Sequence, residues 1–587
     1  DKFNKYNIDE SSKMKLKPVK NDNDQLMLLM SNKHDEIVKS SGIYRNYVLF
    51  CDLVKKAMEE DENIGVSNIY DGLEHLTCAE IKLEEEDNAQ EIFERINSTG
   101  VPLSLADKIR NFVLMTDVEQ DRLYEDYWLK AETLVGYDEL TSFFLDFLNL
   151  KVDGFPKESE AYDCFKQVFY DGKYTNESML KEILHYAEFY HAFTQGDTKY
   201  GEKVNEYLLG LRRLNQTTVY LFLYRVFDDY TADTPVLNQK ELEKVLQFLL
   251  HYNIRRTMAE ISSNSLRGLY KTLYNRVFNR KENKEHYYDA IVSFFKQLTS
   301  RDALVSDADF ITALKYNNLY RKNALCKYLL CAVENQGKEK VITNNLTIEH
   351  IMPQNKNIST AWQKMLGDDW QEVKDKYLHT LGNLTLTAYN TELGDRPFSE
   401  KKEMLDDVNT KMVILNTEIK LNDNWNAASI ESRASRLADE IMKLFPIIEP
   451  EEEISFADPR YQEYTCDDPE NAKYKTPNYY ILQGERVNVT SYAEMLRSFI
   501  EHLYLIDSKI IEQMAKKDEC PVSWSSNVMF SYDETKTTYN YKLKDTDIYE
   551  STGFSAPHIM HIIRAMLDKY EIDRSDFVYS ARVSSSK

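Results

Sequence analysis

Two neighbouring residues that can do chemistry, Glu349 and His350, lie inside the otherwise apolar segment NLTIEHIMPQN. Successive side chains of a strand point to opposite faces, so this pair does not belong to an ordinary buried strand edge. A solvated pair at the end of a surface strand is the ordinary interpretation. The alternative is one part of a site for phosphodiester chemistry, in which Pro353 ends the strand directly behind the pair.

Two asparagines accompany a second strand-like segment, LGNLTLTAYN, which Asn383 opens and Asn390 follows. Hydrolysis of a phosphodiester needs an activated water and positive charge on the phosphate and the leaving oxygen. A neutral histidine accepts a proton near neutral pH, whereas carboxylate and amide oxygens suit Mg²⁺ or Mn²⁺. These residue types in this order therefore indicate a metal-dependent hydrolytic site.

In this interpretation His350 is the general base, and Glu349 and Asn390 supply oxygen ligands to the metal. Asn383 holds the base or its backbone in place. Each motif alone is common, since a Glu-His pair is usually a surface pair and an Asn before a loop is usually a cap. Their order along the chain (strand, connection, strand, turn, helix) is that of a ββα-metal site, with a basic helix start at Lys401-Lys402.

The apolar pattern divides the chain into four parts and predicts a multidomain, mainly α fold. Apolar residues at helical spacing predict an N-terminal helical bundle over 1–335. Two strands and a helix around a tryptophan-bearing insertion predict the ββα-metal nuclease module over 336–447. A run of nine acidic residues and one arginine predicts a linker over 448–472, and 473–587 has the pattern of a small α+β accessory domain.

The amino-acid composition of the chain indicates its compartment and its partners. A net charge of −24 makes nucleic-acid binding less expected, although it leaves room for a local basic groove. The sequence contains no apolar run long enough to span a bilayer and no signal-peptide pattern. Seven scattered cysteines without a CxxC pair fit a reducing cytoplasm. We therefore expect a cytoplasmic protein with no membrane partner.

A helix–turn–helix corner is predicted within residues 86–115. Asn97 to Gly100 end the first helix, and Pro102 prevents its immediate resumption. Ser104 begins the next helix, with Asp107 three residues on as in a capping box. A plain structural corner explains most of these residues.

Two blocks of sequence carry a specific resemblance. TIEHIMPQN, LHTLGNLTLTAYN and RPFSEKK resemble the HNH nuclease module of GmrSD-type, modification-dependent (type IV) restriction endonucleases. DNAQEIFERINSTGVPLSLADKIRNFVL resembles the end of their partner domain, a ParB/sulfiredoxin-like nucleotide-binding domain with a helical extension. Both blocks occur in one chain and in the order of the family.

The resemblance implies the same roles for His350, Glu349, Asn383 and Asn390, although many HNH enzymes carry Asp where this chain has Glu349. His379 matches a recurring family position, where it either supports one of the site residues, contacts phosphate, or is a structural histidine.

Lys401 and Lys402 either contact phosphate or lie on a solvated helix face. Asp395 is the nearest alternative oxygen donor to Asn390. The family's nucleotide motif, Asp-Gly-Gln-Gln-Arg, does not occur in this sequence, so the NTP expected for the family is assigned to no residue.

We therefore expect an HNH DNA endonuclease, a nickase or a double-strand cutter, that acts in defence against phage or foreign, modified DNA. An RNA-cleaving abortive-infection toxin is one alternative. A nuclease-dead interaction scaffold is another, suggested by the acidic charge and the missing nucleotide motif. The expected partner is DNA, with a second copy of the chain or another defence protein as further candidates.

Overall fold

The computed structural model describes residues 18, 20–61, 63–77, 92, 103–115, 119–152, 154–336, 345–388, 393–405, 413–456 and 461–582. Backbone contacts divide the chain into two units, 1–92 and 93–587. The described helices of the first unit are α1 Lys20–Met30, α2 Gly42–Glu60 and α3 Val66–Glu74. The hydroxyl of Ser41 caps α2 by accepting a hydrogen bond from the Tyr44 amide.

The second unit begins with a helical bundle. Its helices are α4 Leu105–Leu114, α5 Gln120–Leu123, a π-helical turn Tyr124–Trp128, α6 Leu129–Val135, α7 Leu140–Asn149, α8 Ala161–Asp171, α9 Asn176–Thr194, α10 Glu202–Arg213, α11 Tyr220–Thr231, α12 Gln239–Met258, α13 Leu266–Val277, α14 Tyr287–Lys296, α15 Asp307–Tyr316 and α16 Asn323–Glu334. The predicted capping box at the start of α4 is confirmed, because Ser104 and Asp107 exchange the expected hydrogen bonds. The predicted corner from Asn97 to Pro102 lies outside the described residues.

Helix α12 is buried on nearly every side, as expected for the central helix of a bundle. Two arginines near its end are buried as well, and they donate to main-chain carbonyls. Arg255 donates to the carbonyls of Val305 and Phe445 and pairs with Asp307 at 2.7 Å. Because buried guanidiniums are costly unless their donors are used, these bonds hold neighbouring segments against α12.

A two-stranded antiparallel ribbon follows the bundle, with β1 Thr347–His350 paired to β2 Leu384–Thr387. Between the strands lie α17 Thr360–Leu366 and α18 Trp370–Tyr377, and after them come α19 Phe398–Leu405, α20 Leu415–Leu421 and α21 Ala427–Leu444. Ile348, Leu384 and Leu386 belong to the same core as the bundle helices. A smaller core around Trp362, Phe398 and Trp425 lies beside the ribbon.

The C-terminal module has its own core and two antiparallel sheets. Its elements are β3 Tyr461–Thr465, β4 Pro477–Leu482, β5 Glu485–Asn488, α22 Tyr492–Ile506, α23 Ser508–Lys516, β6 Phe530–Ser531, β7 Asn540–Lys542, β8 Tyr549–Ser551, α24 Ala556–Lys569 and β9 Phe577–Arg582. The larger sheet has the strand order β3-β9-β4-β5, and the smaller has the order β6-β8-β7. β3 lies inside the segment that the sequence predicts as an acidic linker.

The residues before β3 are anchored on the bundle. Lys244 forms an ion pair with Glu451 at 2.5 Å, and Lys296 forms one with Glu449 at 2.7 Å. The Ile454 amide donates to the Ser293 hydroxyl at 3.0 Å. The acidic run therefore contacts lysines of α12 and α14 instead of passing through solvent as a free tether.

A close backbone approach joins the bundle to the C-terminal module. A β-carbon on Gly268 of α13 would lie 2.6 Å from the main-chain oxygen of Gln483. Gly484, in the turn between β4 and β5, adopts a φ of +83° and lies against the main chain of Ser265 and Leu269. Glycine is needed at both positions because any side chain would separate the hairpin from the helix.

The observed architecture confirms the predicted multidomain, mainly α fold class. The predicted domain boundaries stay predictions. Among the described residues, no helix has both the length and the apolar character that crossing a bilayer requires.

We predict that Gly268→Ala lowers the midpoint of thermal unfolding of the full chain. Alanine in a helix is ordinarily more favourable than glycine by about 1 kcal/mol, whereas the clash with Gln483 costs about 1–3 kcal/mol. Gly154→Ala is the control, because a β-carbon there meets nothing within 4 Å. A midpoint for Gly268→Ala equal to or above that of the wild type would contradict the close approach.

Candidate active site

The ribbon places Glu349 and His350 on opposite faces. In the antiparallel register Glu349 lies opposite Thr385, and His350 lies opposite Leu384. His350 therefore shares a face with Ile348, which packs in the bundle core, and Glu349 faces the other way. Both residues are buried, with 4% and 3% of their surface exposed, so the solvated-pair interpretation does not hold.

His350 lies in an imidazole pair. Its Nε2 is 3.0 Å from Nδ1 of His379, so one of these two nitrogens carries the shared proton. Burial, together with the charges of His379 and Lys401, lowers the pKa of His350 to about 3. The imidazole is therefore neutral at physiological pH, which is the form that accepts a proton.

Tyr320, in the turn Leu319–Lys322 at the end of the bundle, covers this pair. Its ring stacks on His379 with centroids 5.5 Å apart and meets the edge of His350 at 4.4 Å. The amides of Leu319 and Tyr320 both donate to the His379 carbonyl. Sequence reasoning missed Tyr320, because a single tyrosine among many in a helical region carries no local signal of this contact.

On the opposite face, Glu349 forms a buried ion pair with Lys401 of α19. The Lys401 ammonium lies 2.8 Å from Glu349 Oε1 and donates to the His350 carbonyl at 2.8 Å. Burial raises the pKa of the Glu349 carboxyl and lowers that of the Lys401 ammonium, and the ion pair opposes both shifts.

The neighbouring Lys402 points elsewhere. Its ammonium donates to the Asn422 carbonyl at 2.6 Å and lies over the Phe398 ring. The two lysines of the predicted basic helix start therefore have different surroundings. Lys401 belongs with Glu349, and Lys402 packs on the helix surface.

Asn383 uses its whole side-chain amide to fix the main chain just after His350. Its Oδ1 accepts from the Met352 amide at 2.7 Å and from Trp425 Nε1 at 3.0 Å. Its Nδ2 donates to the carbonyls of Met352 at 3.2 Å and Leu378 at 2.8 Å. With no donor or acceptor left over, Asn383 contacts the backbone that follows the base and not the imidazole itself.

The predicted ligand Asn390 lies outside the described residues. Asp395, the alternative donor, is exposed and accepts a hydrogen bond from the Asn355 amide group at 2.8 Å. Its charge nevertheless acts on the Glu349–Lys401 ion pair, because it raises the pKa of Glu349 and opposes the lowering of the Lys401 pKa.

The described residues do not by themselves fit a divalent cation. No group of three histidine, cysteine or acidic side chains capable of holding a metal occurs among them. The Glu349 carboxylate, which is buried in the site, is neutralised by an ammonium at 2.8 Å. A cation at this carboxylate would require oxygen donors from elsewhere and a displaced Lys401.

Family models match the chain in two places. The model of the C-terminal domain of GmrSD restriction endonucleases matches residues 304–440, and that of the N-terminal domain matches residues 1–114. These two matches support a GmrSD-type restriction endonuclease family for the chain. A search of curated proteins found no match to the chain. The family is one of endonucleases that act on foreign DNA.

The range matched by the GmrSD C-terminal domain contains both halves of the site. It begins before Tyr320 and ends within α21, so it includes the imidazole pair, the Glu349–Lys401 pair and Asn383. Within it, the buried Arg433 of α21 donates to the carbonyls of Gly382 at 2.8 Å and Leu384 at 2.7 Å. These bonds fix the turn that presents Asn383.

We predict that Lys401→Met destabilises the chain by about 3 kcal/mol, because it leaves the Glu349 carboxylate buried without its partner. Lys402→Met is the matched control on the same helix, and its effect should be within about 1 kcal/mol. Denaturant unfolding monitored by tryptophan fluorescence measures both. Equal losses for the two variants would show that the ion pair does not stabilise this module.

Proposed function

We propose that this chain is an HNH-type endonuclease that hydrolyses phosphodiester bonds of foreign, modified DNA, with His350 as the general base. The observation that carries the proposal is a neutral, buried imidazole at the end of β1, hydrogen-bonded to a second imidazole. An aromatic ring and a charged pair on neighbouring elements hold this strand end in position. A general base must be unprotonated when it takes its proton and must be held within hydrogen-bond reach of the group that gives it.

The hydrogen bond between His350 and His379 allows two proton arrangements, and one of them leaves the base able to accept a proton. With the proton on His350 Nε2, the His379 Nδ1 accepts it and leaves His350 Nδ1 free to take a proton from water. With the proton on His379 Nδ1, that nitrogen is the donor and His350 Nε2 is the acceptor of the hydrogen bond. The first arrangement leaves a proton acceptor on the base, so we assign His379 the role of positioning His350.

Lys401 supplies positive charge next to the base. Its ammonium is bonded to the His350 carbonyl, and its charge lowers the pKa of His350. Because Lys401 is buried and paired with Glu349, it fixes the strand end and lowers the pKa of the base without contacting the phosphate itself. Lys402 has no such place in the proposal, because it bonds to Asn422.

A requirement for Mg²⁺ or Mn²⁺ remains part of the proposal, with Glu349 and Asn390 as the expected ligands. Because Glu349 is paired with Lys401, a cation at this carboxylate would have to displace the ammonium. The roles of His350 and His379 are therefore assigned without it. The family resemblance implies an NTP, to which no residue of this chain is assigned, so the cleavage assays include one.

We predict that His350→Ala reduces the rate of DNA cleavage at least about 100-fold, the usual contribution of a general base. The substrates are unmodified plasmid, hydroxymethylated or glucosylated DNA and total RNA, each with and without NTP. His286→Ala is the control, because His286 lies on the bundle surface and pairs with Glu452.

Each result of this comparison has a defined meaning. Faster cleavage of modified than of unmodified DNA supports the proposed substrate. Cleavage of RNA but not of DNA would replace the proposal with an RNA-cleaving toxin. A folded wild type that cuts none of the substrates would favour an interaction scaffold without nuclease activity.

We predict that EDTA abolishes cleavage and that Mg²⁺ or Mn²⁺ restores it. Asn390→Ala should then require more metal for half-maximal rate, because it removes one oxygen donor. The metal dependence of the cleavage rate of both proteins measures this. Cleavage that persists in EDTA would contradict the metal requirement.

A further inference from the structure

A cavity of about 620 Å³ lies between the bundle and the larger C-terminal sheet, away from the candidate active site. Its bundle wall comes from α13, α14 and the segments after them, and its other wall comes from β3, β4, β5 and β9. Its volume is within the range of small-molecule sites. The close contact of Gly268 with the Gln483–Gly484 turn lies beside it, since Gly484 also lines the cavity.

Two arginines in the cavity wall have unused donors. Arg276 of α13 stacks on Phe294 at 4.8 Å, and its buried Nε has no hydrogen-bond partner among the described residues. Arg486 of β5 stacks on the Tyr479 ring at 3.6 Å and makes one long hydrogen bond, from Nε to the Asn488 side chain at 3.3 Å. These cation–π contacts help to hold both guanidiniums in the cavity wall.

The two guanidiniums line the same cavity. The charge of Arg486 lowers the pKa of Arg276, and burial lowers the pKa of both. Within the described part of the chain, neither guanidinium has a carboxylate within the 4.0 Å of an ion pair. Burying two unpaired like charges together is unfavourable unless something else neutralises them.

The carboxylates of the cavity wall are engaged with other groups. Glu463 acts on both arginines at a distance, but its carboxylate accepts the Tyr479 hydroxyl at 2.5 Å. Asp576 pairs with Arg301 at 2.8 Å, and Asp302 accepts the Ser265 hydroxyl at 2.7 Å. Arg301 is thereby neutralised. Among the described residues of the wall, Arg276 and Arg486 are the less exposed arginines that can bind an anion, and the exposed Arg280 also lines the cavity.

We propose that this cavity binds a small organic phosphate, whose phosphate group is held between Arg276 and Arg486. A guanidinium presents paired donors that match the oxygens of a phosphate. A phosphate monoester carries close to two negative charges at neutral pH, and it therefore matches two guanidiniums better than a carboxylate does. The cavity is too large for a phosphate ion alone, so the remaining volume holds the organic part of the ligand.

This site is independent of the proposed nuclease reaction, and occupancy would hold the C-terminal module to the bundle. The test is isothermal titration calorimetry on the full chain with AMP, ribose 5-phosphate, inorganic phosphate and adenosine. We expect at least one of the two organic phosphates to bind more tightly than inorganic phosphate and to raise the midpoint of thermal unfolding. Adenosine, which lacks the anion, should not bind.

Arg276→Gln and Arg486→Gln should each weaken binding of the organic phosphate at least about tenfold, since charge-assisted hydrogen bonds are lost. Arg574→Gln is the matched control, because Arg574 is an exposed arginine of the same module that pairs with Asp568. The unfolding midpoint of each variant without ligand reports on its folding.

Three results would overturn the proposal. Neither organic phosphate binds the folded wild type at millimolar concentration. Inorganic phosphate binds as tightly as both organic phosphates. The Arg276 and Arg486 variants bind as well as the Arg574 control does. DNA cleavage by the same variants distinguishes this site from the nuclease site. If a variant loses ligand binding but cleaves DNA at the full rate, both proposals stand, because the two sites are independent.

Discussion

A ribbon of two four-residue strands cannot be stable by itself, and this constraint shapes the centre of the second unit. All its residues except Thr347 are buried, so both faces must be covered by other elements. The bundle core covers the face of Ile348 and His350, and α19 and α20 cover the face of Glu349. The residues proposed for chemistry are thus held by the same packing that stabilises the ribbon.

Covering the two faces with different elements gives the two polar residues different electrostatic environments. His350 meets aromatic rings and a second imidazole, which keep it neutral. Glu349 meets an ammonium that compensates its burial. A proton acceptor and a charged pair can therefore occupy adjacent positions of one strand without neutralising each other. Asn383 connects the main chain after β1 to the start of α21. Its side chain accepts a hydrogen bond from Trp425, and Arg433 of α21 donates to the carbonyl of the preceding Gly382.

The C-terminal module is attached to the bundle by contacts of a different kind. Backbone approaches backbone at Gly268, acidic residues before β3 pair with lysines of the bundle, and two arginines face a cavity between the parts. The first two kinds of contact are complete within the chain. At the cavity, the guanidiniums of the two arginines have no ion-pair partner among the described residues, and for that reason we propose a ligand in the cavity.

The sequence alone determined the elements and the order of the polar residues. Alternation and flanking breaks located β1 and β2, helical spacing located the bundle, and Ser104 with Asp107 marked the start of α4. These features depend on residues within a few positions of one another. β3 escaped prediction because the acidic residues around it, read locally, are typical of a linker, and only pairing with β9 makes it a strand.

Only the tertiary structure decided what surrounds each candidate residue. Lys401 lies 52 positions from its partner Glu349, and His379 lies 29 positions from His350. Tyr320 reaches the imidazoles from the bundle, and Lys402 turns away from them although it follows Lys401 directly. Local periodicity specifies which side chains share a face of an element. It does not specify which distant element covers that face, and burial and charge at the site depend on that packing.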